Sequence, residues 1–308
     1  MTNVRRLASR SIVIFLMMSF TVFSYAQLPN HLREYPLADR KARGDLVAPI
    51  FNGWTPNEDG SVTMLFGFAN RNREEIVDIP LGPNNYIEPA QFDGAQPTHF
   101  PVYNRGGFIG INERGAFAVT VPADMAGTEV VWTIKNAGYE YSVPGRATST
   151  TYEMSDGERA LGTLAPAIRF ERDGPESTTR EGIRAARVTT SVGNPVTLSA
   201  YIQDRGNRAD YPEQSKLLFY PLTTDWVMHQ GPVAPDFERS LVLDTDREAK
   251  GISQLGGEDW VHVETRATFS EPGSYIIRLR VSNFAAPDSR FDNMCCWSNA
   301  YVPVTVTQ

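Results

Sequence analysis

The chain has 308 residues, of which 41% are hydrophobic and 21% charged, and it carries a net charge of −7. These proportions are ordinary for a globular protein of about two domains, and they exclude wholesale disorder and a protein with many membrane spans. The net negative charge argues against a nucleic-acid partner, because phosphate binding needs clustered Lys and Arg. With only four His and two Cys, the chain is also a poor candidate for a multi-histidine metal site or a disulfide-rich scaffold.

The N-terminus, residues 1–26, has the pattern of an export signal. Arg5, Arg6 and Arg10 precede an apolar run over 11–23, and the next three residues, SYA, fit the small-x-small rule for cleavage. The run is shorter than the roughly 20 apolar residues that a membrane-spanning helix needs. We therefore predict a cleaved signal peptide and a periplasmic or extracellular protein without a membrane span; the alternative is an uncleaved N-terminal anchor.

Two further segments are predicted before the second half of the chain. Residues 27–47 are polar and show neither a two-residue nor a 3.6-residue period, which indicates a tether. Residues 48–152 show strand alternation and are predicted to form a β-sandwich, in which 61–70 and 75–81 pair as a hairpin. Three more strands are predicted at 115–122, 129–135 and 139–143.

A second all-β domain is predicted over 167–308, after a linker at 153–166 that is poor in strand pattern. Within the strand 274–282, Tyr275, Ile277, Leu279 and Val281 alternate with more polar residues, so this apolar set is expected to face the core. Further strands are predicted at 196–203, 216–220, 267–269 and 301–307.

Three segments of this domain resemble bacterial immunoglobulin-like domains of the polycystic-kidney-disease (PKD) type. They are 193–200 (GNPVTLSA), 267–275 (ATFSEPGSY) and 302–306 (VPVTV). The resemblance implies a sandwich in which Tyr275 lies inward near one end. The family's usual connection is much shorter than residues 203–265, so that segment is interpreted as an insertion.

The N-terminal half, with 51–72 (FNGWTPNEDGSVTMLFGFANRN), is similar to a domain found beside such modules in exported bacterial proteins. That resemblance implies no particular reaction. The predicted fold is therefore all-β, with two antiparallel β-sandwich domains of which the C-terminal one is immunoglobulin-like (PKD-type) with a long insertion.

The usual catalytic motifs are absent from the sequence. It contains no Gly-x-Ser-x-Gly elbow, no His-Glu-x-x-His, no phosphate loop and no dinucleotide-binding glycine pattern, so an enzyme is not predicted. His99 is the histidine singled out, because Pro97 and Pro101 stiffen its segment and could preset the imidazole for a ligand or a metal. The alternative is a structural turn.

Calcium is the one ion for which the sequence offers a candidate site. Asp244 and Asp246 alternate along the chain and could supply two ligands, although an EF-hand loop would need more acids and a glycine. The alternative is a solvated acidic loop, and no cofactor is predicted.

Tryptophans form the other candidate ligand-binding set. Trp54, Trp226, Trp260 and Trp297 fall in or beside predicted loops, whereas Trp132 lies within a strand and is expected in the core. A Trp ring can serve as a core plug, an interface anchor or a sugar-stacking platform. Two of these rings on one exposed face would favour carbohydrate binding.

The two cysteines, Cys295 and Cys296, are adjacent. Their Cα atoms lie about 3.8 Å apart across a trans peptide, below the lower limit of about 4.4 Å for a relaxed disulfide. In an oxidising compartment they are expected to form a strained vicinal ring; an intermolecular bridge and buried thiols are the alternatives.

The leading functional hypothesis is an exported, non-catalytic binding or scaffold protein that recognises a protein or a glycan through loops of the sandwiches. A second hypothesis is a hydrolase or accessory enzyme whose site lies in 203–265 and uses Asp225, His229 or Asp244. A third is a purely structural spacer, which would have no pocket.

Overall fold

The computed structural model describes residues 39–103, 111–154, 162, 164–177, 180–206, 222–238, 241–243, 260–282 and 296–308. The predicted signal peptide and the predicted strand at 216–220 lie outside these residues. Residues 41–308 form one compact unit. None of the helices in the described ranges is long and apolar enough to cross a membrane.

The first half of the compact unit is an antiparallel β-sandwich. Its strands are β1 (Val47–Pro56), β2 (Val62–Asn70), β3 (Val77–Asp78), β4 (Asn85–Glu88), β5 (His99–Phe100), β6 (Asn112–Val121), β7 (Val130–Asn136) and β8 (Tyr139–Gly145). The sheet β1-β2-β6 packs against the sheet β4-β7-β8, and β3 pairs with β5. Trp132 is fully buried between the sheets, with its ring edge-on to Phe117 at 4.9 Å, which confirms its predicted place in the core.

The predicted hairpin of 61–70 with 75–81 is wrong. The first strand is present as β2, but it lies between β1 and β6. The second is reduced to Val77–Asp78 and pairs with His99–Phe100. Turn residues between two apolar runs favour a local hairpin. Here, however, both faces of β2 are buried, and this burial determines which strands pair with it.

The second half is also a sandwich. Its strands are β9 (Ala167–Arg169), β10 (Ile183–Arg184), β11 (Val188–Ser191), β12 (Val196–Gln203), β13 (Thr223–Gln230), β14 (Asp236–Phe237), β15 (Leu241–Leu243), β16 (Val261–Thr268), β17 (Gly273–Ser282) and β18 (Trp297–Thr307). The larger sheet has the order β10-β18-β17-β13-β15 with β11 also on β18, and the smaller one has the order β14-β16-β12-β9. The all-β sandwich class predicted from the sequence is thus confirmed.

The alternation in β17 directs one set of side chains into this core. Tyr275, Ile277, Leu279 and Val281 are all buried in the cluster between the two sheets. The Tyr275 hydroxyl donates a hydrogen bond to the Glu271 carbonyl at 2.8 Å. Such a bond from a strand-initial tyrosine back to the preceding turn is a recurrent feature of immunoglobulin-like sandwiches.

The segment 203–265 is only partly an insertion. It contains β13, which lies beside β17 in the larger sheet. Trp226 and Met228 of that strand are buried in the core of the sandwich. The apolar content of β13 is short and interrupted by Asp225 and His229, so its strand pattern is weak in the sequence.

The ends of the predicted tether and linker belong to the folded unit. Strand β1 begins at Val47, and Leu46 is buried next to it. In the linker 153–166, the Met154 amide donates to the Trp54 carbonyl at 2.8 Å, and the Met154 side chain is buried. The boundaries of the two domains otherwise remain predictions.

Candidate functional site

A pair of bulges shapes the face of the first sandwich that meets the second. In β1 the residue Asn52 is inserted between positions paired with Leu65 and Phe66. In β6 the register also shifts, because Phe66 pairs with Phe117 while Phe68 pairs with Glu113. Bulges bend a strand and re-aim its side chains. Here the residues between Glu113 and Phe117 leave the regular ladder.

Asn52 holds this irregular backbone in place. Its Oδ1 accepts a hydrogen bond from the Gly115 amide at 2.8 Å, and Asn52 itself is buried. Gly115 has φ = +58°, and a Cβ on it would lie 1.7 Å from the indole Nε1 of Trp297. A glycine is therefore required here, both by the conformation and by the close approach of β18.

The centre of the contact between the sandwiches, which we call the junction, is a buried charge cluster. Arg278 Nη2 donates to Glu113 Oε1 at 2.8 Å, and Arg280 Nη1 lies 3.0 Å from the same oxygen. Arg278 Nη1 also donates to the Ala116 carbonyl at 2.8 Å. Glu113 is 0% exposed and Arg278 is 3% exposed. Buried charges require an opposite charge and hydrogen bonds to offset the loss of hydration, and these contacts supply both.

Arg278 remains charged in this setting. Burial is the largest single influence and lowers the pKa of its guanidinium, but the Glu113 carboxylate, Tyr103 and Tyr301 together outweigh it, so the net shift of the Arg278 pKa is upward. The cluster therefore joins β6 of one sandwich to β17 of the other through a guanidinium that keeps its charge.

An apolar and amide contact extends the junction along β18. Trp297 is buried together with Leu65, Ala118 and Met154. Next to it, Asn299 Nδ2 donates to the Gly115 carbonyl at 2.7 Å. The two sandwiches thus share an apolar cluster as well as an ionic one.

A second row of hydrogen bonds joins the segment 94–98 to the end of β13. The Thr98 amide donates to the His229 carbonyl at 2.8 Å. The Gln230 amide group donates to the carbonyls of Gly94 (2.9 Å) and Gln96 (2.7 Å). The relative position of the sandwiches is therefore set at two separate places.

His229 is neutral in this row. Its Nε2 lies 2.8 Å from the Ala95 carbonyl, so that nitrogen carries the proton, since a carbonyl only accepts. Burial lowers the pKa of His229 to about 3, and the Arg278 charge contributes to the shift. Tyr301, whose ring lies 5.1 Å from the imidazole, has a pKa raised to about 12 by burial.

Two concave regions flank the junction. The junction cavity, of about 180 Å³, is lined by residues of both sandwiches, including His229, Tyr301, Glu181 and Arg184. The lateral groove, of about 650 Å³, extends from the turn after β1 to the start of β18. Glu181 lines both regions, which places them side by side.

The lateral groove carries both signs of charge. Glu58 and Glu181 supply carboxylates, and Arg180 and Arg205 supply guanidinium groups. Asp59 also lines it, but its Oδ1 accepts hydrogen bonds from the amide and the hydroxyl of Ser61 and so shapes the turn. The lining residues that the structure describes include no aromatic ring.

His99 does not occupy a loop poised for a metal. It lies in β5, is 6% exposed, and its Nδ1 is 2.7 Å from Asp78 Oδ1 of the paired strand. Among the described residues no group of three or more His, Cys, Asp or Glu side chains could hold a metal ion. The adjacent Thr98 contacts β13, and a ligand-binding role of His99 stays a prediction.

The candidate tryptophans are dispersed. Trp226 lies in the middle of β13 and is 1% exposed, so its predicted loop position is wrong and its ring is core. Trp54 lies in β1, half-buried, with Nε1 donating to the Ser149 carbonyl at 2.9 Å. Trp260 is half-buried, and the Arg169 guanidinium lies 3.8 Å from its ring centre. Within the described ranges no ring contact joins any two of the three.

The remaining candidates are only partly described. Asp244 and Asp246 lie outside the described residues, so the calcium site stays a prediction. Cys296 is disulfide-bonded. Cys295, the only other cysteine of the sequence, also lies outside, and the vicinal ring stays a prediction. Asp225 is half-buried in β13.

Sequence reasoning missed the residues that build the junction. Arg278 and Arg280 alternate with the apolar set of β17, which is the usual pattern of a solvent-facing side. The available signal was Gly115 at the start of the predicted strand 115–122, directly after Glu113 and Arg114, because a glycine in a strand pattern indicates a bulge.

Comparisons with known proteins add little to this geometry. No protein-family model matches the chain, and no curated protein matches it either. The solved structures similar to it include the PapD-like domain 7 of human CEP192, at 8% identity over 48% of this chain and 88% of that one, with a TM-score of 0.26. They also include the D0-D1 domain of intimin, at 10% identity over 84% of this chain and 100% of that one, with a TM-score of 0.24. Domains 4 and 5 of the S-layer protein SbsC match at 10% identity over 86% of this chain and 98% of that one, with a TM-score of 0.21. Likenesses this low carry no argument about function.

Proposed function

We propose that the protein is an exported, non-catalytic binding protein whose two sandwiches are fixed in one arrangement and present the lateral groove to a protein partner. The observation that carries the proposal is the junction. Its charges are compensated, its centre is buried, and it is supported by an apolar cluster and a separate row of hydrogen bonds.

A fixed junction matters for binding because the groove is built from both sandwiches. Thr55 and Glu58 come from the first, and Arg205 and Ser298 come from the second. A mobile interface would have to order these groups when a partner binds, at a cost in free energy. Fixing them beforehand removes that cost.

The chemistry of the groove favours a polypeptide over a glycan. Sugar rings are recognised in large part by stacking on aromatic side chains, and the described lining has none. Carboxylates beside guanidinium groups suit a segment that carries both backbone amides and charged side chains. A structural spacer would need no such groove.

A peptide-display library selected on the purified protein, in parallel with a glycan array, tests the proposal. Enriched peptides should lose at least tenfold in affinity for the Glu58→Lys and Arg205→Glu variants. The matched control is Glu238→Lys, an exposed position outside the groove lining, which should bind as the unmodified protein does.

Three outcomes would count against the proposal. Binding of glycans but not of peptides would show that the partner is a glycan and not a protein. Binding of neither would remove the binding role. Cleavage of the enriched peptides would favour the hydrolase hypothesis.

A further inference from the structure

The outer face of the smaller sheet in the second sandwich carries a group of aromatic and basic side chains. On β12, Leu198, Ala200 and Ile202 point into the core, so the residues between them point outward, and β16 alternates in the same way. At one end of this outer face four residues meet. We call them the aromatic row: Arg169, Tyr201, Trp260 and His262.

Strand register and side-chain contacts bring the aromatic row together. Tyr201 lies opposite Arg169 of β9 and opposite His262 of β16. Its ring centre lies 4.8 Å from the His262 ring centre and 5.9 Å from the Arg169 guanidinium. The same guanidinium lies 3.8 Å from the Trp260 ring centre. Two rings thus hold one cation by cation–π attraction, so the row is ordered before a ligand binds.

The polar groups of the row are accessible. Among the described residues, no hydrogen bond or ion pair engages the terminal nitrogens of Arg169, the Tyr201 hydroxyl or Trp260 Nε1, and none of these atoms is enclosed. Arg169 Nε, by contrast, is enclosed. His262 is exposed. A ligand that lies on the sheet therefore reaches a guanidinium, a hydroxyl and two ring systems with polar atoms.

The junction is built from the other sheet. Arg278, Asn299 and Gln230, which contact the first sandwich, lie on β17, β18 and β13 of the larger sheet. The core of the second sandwich separates that sheet from the outer face of the smaller one. A ligand on the aromatic row therefore need not disturb the junction.

The surroundings of the row favour a sugar over a protein surface. The other outward-facing residues of β12 and β16 are Thr197, Ser199, Gln203, Glu264, Arg266 and Thr268. None of these six is aliphatic, whereas the centre of a protein–protein interface is usually apolar and closely packed. Amphipathic rings beside hydroxyl and amide groups suit a pyranose, which has apolar ring faces and many hydroxyl groups.

The charge of the row identifies the kind of sugar. Among the described residues, no carboxylate forms an ion pair with Arg169. A guanidinium binds a carboxylate through two parallel hydrogen bonds, which makes it the best partner for that group. The net charge of −7 disfavours a long polyanion. A short oligosaccharide with a single carboxylate satisfies both conditions.

We propose that the aromatic row binds an oligosaccharide that carries one carboxylate, in a uronic or sialic acid unit. The Arg169 guanidinium pairs with the carboxylate, the rings of Tyr201 and His262 lie against the sugar, and Trp260 Nε1 donates to a hydroxyl group. The site is separate from the lateral groove and does not depend on its peptide-binding role.

Binding of matched sugars by the full protein tests the proposal. The acidic probes are cellobiouronic acid and sialyllactose, and their neutral counterparts are cellobiose and lactose. Isothermal titration calorimetry should show that at least one acidic probe binds, with an affinity at least tenfold higher than that of its neutral counterpart. Triglutamate, a carboxylate ligand without a sugar ring, should not bind.

Variants locate the site. Arg169→Gln and Tyr201→Ala should each weaken binding of the acidic sugar at least tenfold. Arg169→Lys keeps the charge but not the paired hydrogen bonds, so its affinity should lie between those of the unmodified protein and Arg169→Gln. Arg266→Gln is the matched control, because it removes the same charge from the same face of the sheet. Glu58→Lys, in the lateral groove, should also bind the sugar normally.

Four results would overturn the proposal. They are the absence of binding by both acidic sugars, equal binding of acidic and neutral sugars, binding of triglutamate that depends on Arg169, and sugar binding that Arg169→Gln and Tyr201→Ala leave unchanged. Sugar binding that is lost in Glu58→Lys would place the ligand in the lateral groove. None of the first four results bears on peptide binding by the groove, which is measured separately.

Discussion

The carboxylate of Glu113 accepts a hydrogen bond from Arg278 over 2.8 Å, although the two residues are 165 positions apart in the chain and belong to different sandwiches. Burying such a pair costs desolvation energy that offsets most of its attraction, so its net contribution to stability is small. Removing one partner is different, because the other charge is then left buried without its counter-ion.

We predict that Glu113→Gln lowers the free energy of unfolding by about 3 kcal/mol. The substitution keeps the shape of the side chain but leaves Arg278 and Arg280 without this carboxylate. Urea denaturation measures the loss. Glu140→Gln, which disrupts the exposed pair with Lys135, is the control and should cost less than about 1 kcal/mol. Equal losses in the two variants would contradict a structural role for the buried cluster.

Gly115→Ala should destabilise the protein by about 3 kcal/mol, since it combines a positive φ with overlap against Trp297. The control is Gly138→Ala, at φ = +81° with no atom near the added Cβ, where about 1 kcal/mol is expected. Thermal unfolding compares the two. The intrinsic tryptophan fluorescence should shift only in the Gly115 variant, and a native-like spectrum there would argue against the close packing of β18 on β6.

Stability should decrease as the pH falls from 6.5 towards 5. The pKa of His229 is about 3 in the folded protein and about 6.5 when the residue is solvated, so in this window the unfolded chain binds a proton that the folded one does not. The expected slope from this residue is about 1.4 kcal/mol per pH unit.

Chemical denaturation at several pH values checks the His229 prediction. In the His229→Gln variant, the slope of unfolding free energy against pH between pH 6.5 and 5 should be lower than in the unmodified protein by the contribution of about one proton. The prediction fails if the variant and the unmodified protein have the same slope.

Cys295 and Cys296 should form a ring within one chain. Intact mass after alkylation without reductant should show a monomer with no label, and prior reduction should add two labels. A disulfide-linked dimer would indicate an intermolecular bridge. A doubly labelled monomer without reduction would indicate free thiols.

Much of the architecture follows from local pattern. The alternation of Tyr275, Ile277, Leu279 and Val281 places one face of β17 in the core, because side chains on a strand alternate with a period of two. The same rule identifies β2 as a strand, although it does not say which strands lie beside it.

The sequence by itself determined the all-β class, the positions of strands such as β2, β6 and β17, and the inward direction of residues such as Tyr275 and Trp132, since these depend on short-range periodicity. Only the tertiary structure decided that Arg278 faces Glu113, that Trp226 is core and that His229 borders a cavity. Each of those facts depends on which surfaces of two sandwiches come together. The bulges at Asn52 and Gly115 determine that contact. The two-residue period of a strand predicts which of its faces is apolar, but it does not predict which other surface packs against that face.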